Sequence, residues 1–576
     1  MVAIMVMAVP TDFAIGRGLA RLAFAAGLLL VAATGQAQTA PPPPPASGVT
    51  YDAPPEQAAE PADQAEVASS HSGEHARTSI HPYLEISQVV SSELDSGDTL
   101  TYTSVAAGID GVVQTQRVIV QLSYRYQRLI EWEDNVGDQD MHSGLAAASI
   151  QIVPGALSFD AGAMATRTGG QGRAVGTTVF DPSVEVYSAY AGPTLSTHAG
   201  ALAINAAYRL GYVAIDDDTP AGAAADYGSA VAHSLTGSVG MAPGSLPVGW
   251  TIGAGYARTD NNGEFDSQFE GAYVRGDVVV PIGPTLALTA GIGYEDFEAS
   301  QLDFARDANG VPVLGPNGRP TSDPTRPRLL TYQLSDMIYD AGIIWRPSSR
   351  TELQARAGHR YGGTTVVASL SHQFSPHSGM SVSVYDSMQT FDNATLNNIS
   401  GLPDDLEAIR DPLTGALTGC FFGAAPGTGQ CLNNDLQSIR TTSFRAQGVN
   451  LTVTGDRGLL SWGVGVGYTH HRYNQPDDPA FALLGAPEDE SYGAFGSLSR
   501  QLSRESSLNL NAYASWYDTD QANFRTIFST GGTLSYNRTF LMDRLQLLAA
   551  LGLYYNDNGT IDSTVASILL GLRYTF

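Results

Sequence analysis

Residues 564–576 read TVASILLGLRYTF, and their side chains sort into two sets. Ala566, Ile568, Leu570, Leu572, Tyr574 and Phe576 share one parity; Ser567, Leu569, Gly571, Arg573 and Thr575 share the other. A period of two marks a β-strand, whose successive side chains point to opposite faces, and here one face is apolar and the other mixed. A soluble sheet can bury such a face too, so the fold depends on whether the pattern repeats.

From about residue 80 it does repeat, as alternating segments whose connections are by turns short and long. The short ones include VPGA (153–156), PIGPT (281–285), RPSSR (346–350), SPHSG (375–379), TGDRG (454–458) and SRESS (503–507). Gly, Pro, Asp and Ser in such runs are tight-turn chemistry. The long ones, such as EWEDNVGDQD (131–140) and RTDNNGEFDS (258–267), are acidic or Gly-rich. Turns at one end and loops at the other predict a transmembrane antiparallel up-and-down β-barrel of about 22 strands, with short periplasmic turns and long extracellular loops.

The faces agree. Val118, Val120, Leu122, Tyr124 and Tyr126 oppose Gln121, Ser123, Arg125 and Gln127, and Leu460, Trp462, Val464, Val466 and Tyr468 oppose Ser461, Gly463, Gly465, Gly467 and Thr469. An Arg or Lys facing lipid at the bilayer midplane costs about 2–4 kcal/mol. Arg125, Arg209, Arg275, Asp277, Asp336, Asp340, Glu352, Arg356 and Arg360 all fall on the non-lipid parity and are expected to line the lumen. Asp160 and Arg573 join them. In SFRAQGVNLTV (443–453), Arg445 and Gln447 share parity with Val449 and Leu451, which predicts a bulge or a position above the membrane.

Arg17 and Arg21 precede the apolar run Leu22–Ala33, and cleavage after Ala37 would make residues 1–37 a signal peptide. The run is shorter than the roughly 20 residues a spanning helix needs. Residues 38–78, rich in Pro, Ala and Glu, are expected to form a disordered periplasmic segment ahead of a barrel at 79–576. That segment is too short and too Pro-rich for the plug of an energised transporter or the periplasmic domain of an assembly factor. With 30 Lys+Arg against 57 Asp+Glu, the net charge of −27 excludes nucleic acid as a partner. Cys420 and Cys431 are the chain's two cysteines, and export favours a disulfide between them. No companion ligands for zinc lie nearby.

No catalytic, cofactor or metal site emerges. His142 with Ser143, His359, and the pair His470 and His471 are the candidate hydrolytic residues, but none sits in a nucleophile elbow, and adjacent strand residues cannot share one metal. RTGGQGRAVG (167–176) leads into a strand rather than a helix, so it lacks the dipole end a phosphate cradle uses. The acidic runs 216–218 and 488–490 lack an EF-hand pattern and read as solvated loops. The longest connection, Asn393–Arg440, carries the helix-like PDDLEAIRDP (403–412) and is the expected constriction of the pore.

The alternating end Ile568, Leu570, Leu572, Tyr574, Phe576 resembles the C-terminal assembly signal of outer-membrane proteins. That resemblance implies the barrel-assembly machinery as a partner during biogenesis, lipid and lipopolysaccharide as surroundings, and the outer membrane of a Gram-negative bacterium as location. The first strands resemble outer-membrane barrels associated with PEP-CTERM, exosortase and exopolysaccharide systems. The matching elements are Leu94–Asp98, Ser104–Ile109, Tyr124 with Tyr126, and Pro154–Gly155 before Leu157–Ala161. The resemblance implies a non-enzymatic channel or scaffold for export or surface attachment of polymers, with a surface polysaccharide or exported protein as partner. The alternatives are a general solute porin and a rim-located hydrolase.

Overall fold

The computed structural model describes residues 77–132, 139–168, 184–216, 227–244, 246–316, 319–402, 410–417, 420–423, 426–431, 436, 438–476, 478, 481, 487–520, 526–557, 559 and 562–576. The expected leader, the Pro-rich segment up to residue 76 and the Gly-rich stretch from residue 169 lie outside them. So do residues 403–409 of the expected helix.

The chain runs β1 (Arg77–Glu93), β2 (Thr99–Gln114), β3 (Val118–Glu131), β4 (Gln139–Val153), β5 (Leu157–Thr168) and β6 (Val184–Ala199). It continues through β7 (Leu202–Asp216), β8 (Ser229–Met241), β9 (Gly249–Asn261), β10 (Gln268–Pro281), β11 (Leu286–Gln301) and β12 (Leu329–Ser348). Next come β13 (Thr351–Arg360), β14 (Gly363–Ser375), β15 (Ser378–Gln389), the helix α1 (Phe391–Ser400), and the short β16 (Cys420–Phe422) and β17 (Gly429–Cys431). The last seven are β18 (Phe444–Arg457), β19 (Leu460–Tyr473), β20 (Glu488–Ser503), β21 (Ser506–Thr519), β22 (Ile527–Phe540), β23 (Leu545–Asp557) and β24 (Asp562–Thr575). All but β16 and β17 form one 22-stranded sheet. It is closed by antiparallel pairing of β1 with β24, from Tyr83↔Thr575 to Glu93↔Val565. Closure gives the edge backbone groups partners, which hydrocarbon could not supply.

The terminal stretch shows why these residues make a membrane wall. Ile568 and Leu570 are 61% and 58% exposed, whereas Leu569 between them is 2% exposed. Large apolar side chains point outward all round the barrel, among them Ile86, Ile252, Ile292, Met337 and Leu551. Outward aromatics stand near both ends of the strands: Trp516 against Phe528 (4.8 Å between centroids) and Tyr468 against Tyr492 (4.8 Å) toward the loops, Trp345, Phe374 and Tyr574 toward the turns. Among the described residues no helix is long and apolar enough to cross a membrane; the strands do so.

Three local expectations change. The β13–β14 connection lies on the loop side yet is a tight turn, with Tyr361 (φ 53°) and Gly362 (φ 69°) both left-handed, as the type I′ hairpin requires. Strand β18 pairs with β15 and β19 in unbroken register, so Arg445 and Gln447 need no bulge. Instead their side chains meet the buried Asp386 of β15, from Arg445 Nη2 at 2.5 Å and Gln447 Nε2 at 3.0 Å. At that level β14 has parted from β15, whose pairing stops at Ala368↔Val384, and Arg445 also donates to the Thr364 carbonyl at 2.8 Å. Finally, the described helix in the long connection is α1, ahead of the PDDLEAIRDP run.

Candidate functional site: an occupied lumen

The connection between β15 and β18 turns into the barrel. Thr390 caps α1 and Gly401 ends it, a Thr-to-Gly frame around a helix that is legible as a capping pattern. Nearly all of α1 is buried, because it packs against the inner faces of β5 to β8 rather than lying on a surface. Two glycines make room. A Cβ on Gly211 would stand 2.0 Å from Leu396 Cδ1, and one on Gly162 would stand 2.4 Å from Tyr190 and 3.2 Å from Ile399 Cγ2. Phe391, Leu396, Ile399, Leu417 and Phe421 join Met164, Val186 and Val213 of the wall in one apolar cluster. Each large apolar side chain so buried contributes at most about 1.5–3 kcal/mol to docking.

The segment then crosses to the opposite wall. Leu413 packs among Val89, Leu100, Tyr102, Leu129 and Tyr554, and Asp411 accepts from Tyr554 Oη at 2.7 Å and from the backbone N–H of Leu413 at 2.8 Å. The β16–β17 hairpin, whose register sets Cys420 opposite Cys431, lies against β18 and β19. Phe422 covers Gly463, and Gly427 donates its N–H to Thr454 Oγ1 at 2.6 Å beside Gly379, close to the turn end. The returning strand of chain docks through Ser438, which donates to Asp489 at 2.6 Å, and Arg440, whose guanidinium lies 4.1 Å from the Tyr473 ring centroid. The segment thus touches the wall on several sides and reaches almost to the turns.

Four of the expected lumen charges pair with one another, and most of the rest meet charged partners outside that set. Arg275 bonds Asp277 (2.7 Å) and Asp340 (2.8 Å), and Arg356 bonds Asp277 (2.6 Å) and forms an ion pair with Asp340 (3.1 Å), a balanced cluster on β10, β12 and β13. Arg125 makes a two-pronged pair with Glu85 at 2.8 and 2.9 Å, and Arg360 bonds Glu295 at 3.0 Å. Arg573 pairs with Asp110 and lies 3.4 Å from the Tyr83 ring centroid. Asp160 accepts from Ser149 (2.8 Å) and Thr194 (2.7 Å). Glu352 meets Arg346 at 2.7 Å in a half-exposed pair near the turns. Arg209 faces inward 5.6 Å from the Tyr190 ring centroid, with Nε and Nη1 buried and making no hydrogen bond among the described residues. Asp336 stands beyond the last β12–β13 register pair, Tyr339↔His359, and bonds His359 Nε2 at 2.9 Å. Glu85, Asp110 and Glu295 were not singled out from the sequence, although each lies on the inward parity of its strand.

The segment brings ionisable groups of its own. Asp392, in the first turn of α1, is 3% exposed with one carboxylate oxygen unbonded, and burial pushes it up to about 7. Burial likewise pushes Asp411 up. Arg410 donates to Ser143 Oγ at 2.5 Å and to the Ser123 carbonyl and Oγ at 3.0 Å each. Burial brings its guanidinium down to about 10, so it stays charged at neutral pH.

The histidines do not assemble a nucleophile. Ser143 Oγ donates to the Gly415 carbonyl at 2.8 Å, while His142, on the other face, meets Tyr124 Oη at 2.7 Å. His471 bonds Asp489 at 2.8 Å and His470 bonds Glu488 at 3.4 Å, again on opposite faces. Glu488, Asp489 and Glu490 alternate likewise and have separate partners in Arg472, His471 and Tyr492.

A closed antiparallel barrel with an apolar outer belt defines the class: the chain is an outer-membrane β-barrel. No protein-family model and no curated protein matches the sequence. Among solved structures, the FrpB iron transporter from Neisseria meningitidis is similar with 12% identity and a TM-score of 0.42, covering 86% of this chain and 82% of that one. The siderophore receptor PiuA from Acinetobacter baumannii has 10% identity and a TM-score of 0.43, with coverage of 86% and 82%. The ferric-catecholate import receptor Fiu from E. coli has 9% identity and a TM-score of 0.42, with coverage of 85% and 81%. Those names describe the proteins that carry them.

Proposed function

We propose that the protein is a non-enzymatic outer-membrane passage for a polar cargo, held shut by its own inward-folded segment between β15 and β18. The observation that carries this reading is the docking of α1, Leu413 and Phe422 on separate parts of the inner wall, against glycines that leave space for them. A wall lined by paired charges and hydroxyls suits a hydrated solute better than an apolar one. Association with export or attachment of a surface polymer, implied by the first strands, is the more specific form of the proposal. A hydrolase is less well supported, because Ser438 gives its hydrogen to Asp489 rather than to His471, and all three are buried. Liposome swelling tests the passage: vesicles carrying protein that lacks residues 400–435 should admit small sugars faster than vesicles carrying intact protein. Equal swelling by the two would remove the closing role of the segment.

A further inference from the structure

We propose that a cavity beside Arg410, near the turn end of the lumen, binds an oxyanion, a carboxylate or phosphate, carried on a carbohydrate. The inference rests on the passage reading and adds a charge to its cargo. The cavity measures about 400 Å³, and Tyr83, Asp110, Gln121, Ser123, Arg410 and Arg573 are among its lining. That volume lies in the range of small-molecule sites, roughly 300–1,000 Å³. Its depth follows from the strands, since Asp110 is near the end of β2 and Gln121 near the start of β3, both at a short turn.

The charges around it do not cancel. Glu85 takes up Arg125 through two hydrogen bonds. Asp110 is held by Arg573 and by Ser123 Oγ at 2.8 Å. Arg410 has only hydroxyl and carbonyl oxygens as acceptors, and no carboxylate among the described residues pairs with it. A largely enclosed guanidinium with no carboxylate paired to it among the described residues is costly, and a ligand oxyanion would relieve that cost. The planar fork of Arg offers more N–H donors than the three bonds use, and it matches carboxylate and phosphate oxygens two at a time. Gln121, Ser123 and Tyr83 add groups of the kind that meet sugar hydroxyls. The arrangement is specific in sign: a chain of net charge −27 presents here a surplus of positive charge.

Isothermal calorimetry on the detergent-solubilised full-length protein tests the site with trigalacturonate, glucose 6-phosphate, inorganic phosphate and maltotriose. At least one charged sugar should bind about tenfold or more tightly than neutral maltotriose, and Arg410→Gln should weaken it by about tenfold or more, as expected for losing charge-assisted hydrogen bonds. Val112→Phe, which fills the cavity from the wall and leaves Arg410 in place, should weaken it too. Preference for the uronate or for the sugar phosphate identifies the anion, and equal binding of inorganic phosphate would assign the site to the anion alone. Heat-modifiable migration of each variant on a gel verifies the barrel. Binding that ignores charge, or that survives both substitutions, would overturn the proposal, as would no binding of any probe to the unaltered protein. The outcome is separable from the passage reading, because swelling by the protein lacking residues 400–435 is measured without Arg410.

Discussion

Arg356 sits in a cluster whose two guanidiniums and two carboxylates balance, with all four side chains 7–9% exposed. Removing one member leaves an unpaired buried charge, and such a loss costs about 3–5 kcal/mol. Arg356→Ala should therefore lower the unfolding midpoint of the barrel in urea, and Arg356→Ala combined with Asp277→Asn should recover part of the loss. A double variant no more stable than the single one would show that the four groups are not coupled. Asp392 poses the opposite problem, a carboxylate with no cation against it among the described residues. Thr259, Gln301, Thr390 and Thr441–Ser443 surround it, and burial raises it from 3.8 to about 7. Its neutral form favours the docked segment, so its contribution is complete below about 4 and fades as pH rises through about 7. Limited proteolysis of the segment should quicken across that window. Asp392→Asn should flatten most of the slope, leaving the share of Asp411, which burial raises in the same direction.

Among the elements, the terminal strand was the most legible. Alternation over Ile568–Phe576 specifies both its lipid face and its register, and β24 pairs with β23 on one side and β1 on the other. Phe576 remains outward and 64% exposed, with its ring 5.1 Å from that of Tyr574, so little in the folded barrel requires it. A role in assembly accounts for such a residue better than one in stability. Replacing Tyr574 and Phe576 with Ser should then cut the outer-membrane level in cell fractions while the barrel that does assemble unfolds normally. Undiminished membrane levels would remove that role. Helix α1 was far less legible, because a loop sequence states its caps but not which way it folds. Only Gly211 and Gly162 hint at it, and small inward residues are common in barrel strands. Gly211→Phe should force Leu396 off the wall and raise leak through reconstituted protein, since a side chain there overlaps the helix. The tight β13–β14 turn, Arg360-Tyr361-Gly362-Gly363, carries its turn chemistry in Gly362 and Gly363 alone, without Pro, Asn or Asp.

At the scale of the molecule, period-two patterning and connection length sufficed for a closed 22-stranded barrel, because in lipid the backbone leaves few other solutions. Parity assigns a face to each charge of a strand but says nothing of its partner, which can belong to a strand far apart in sequence, as with Arg125 and Glu85 or Arg573 and Asp110. The occupied lumen is a property of the closed form alone, since the contacts of Leu413 and Phe422 exist only once distant strands have met. A barrel of this strand number is wide enough to conduct unless something fills it. Single-channel recording in planar bilayers is the direct comparison, with intact protein and protein lacking residues 400–435 measured under the same salt. The intact barrel should stay closed or open only briefly, and the shortened one should give large, steady openings. Equal currents from the two, or silence from both, would contradict the account of a passage closed by its own segment.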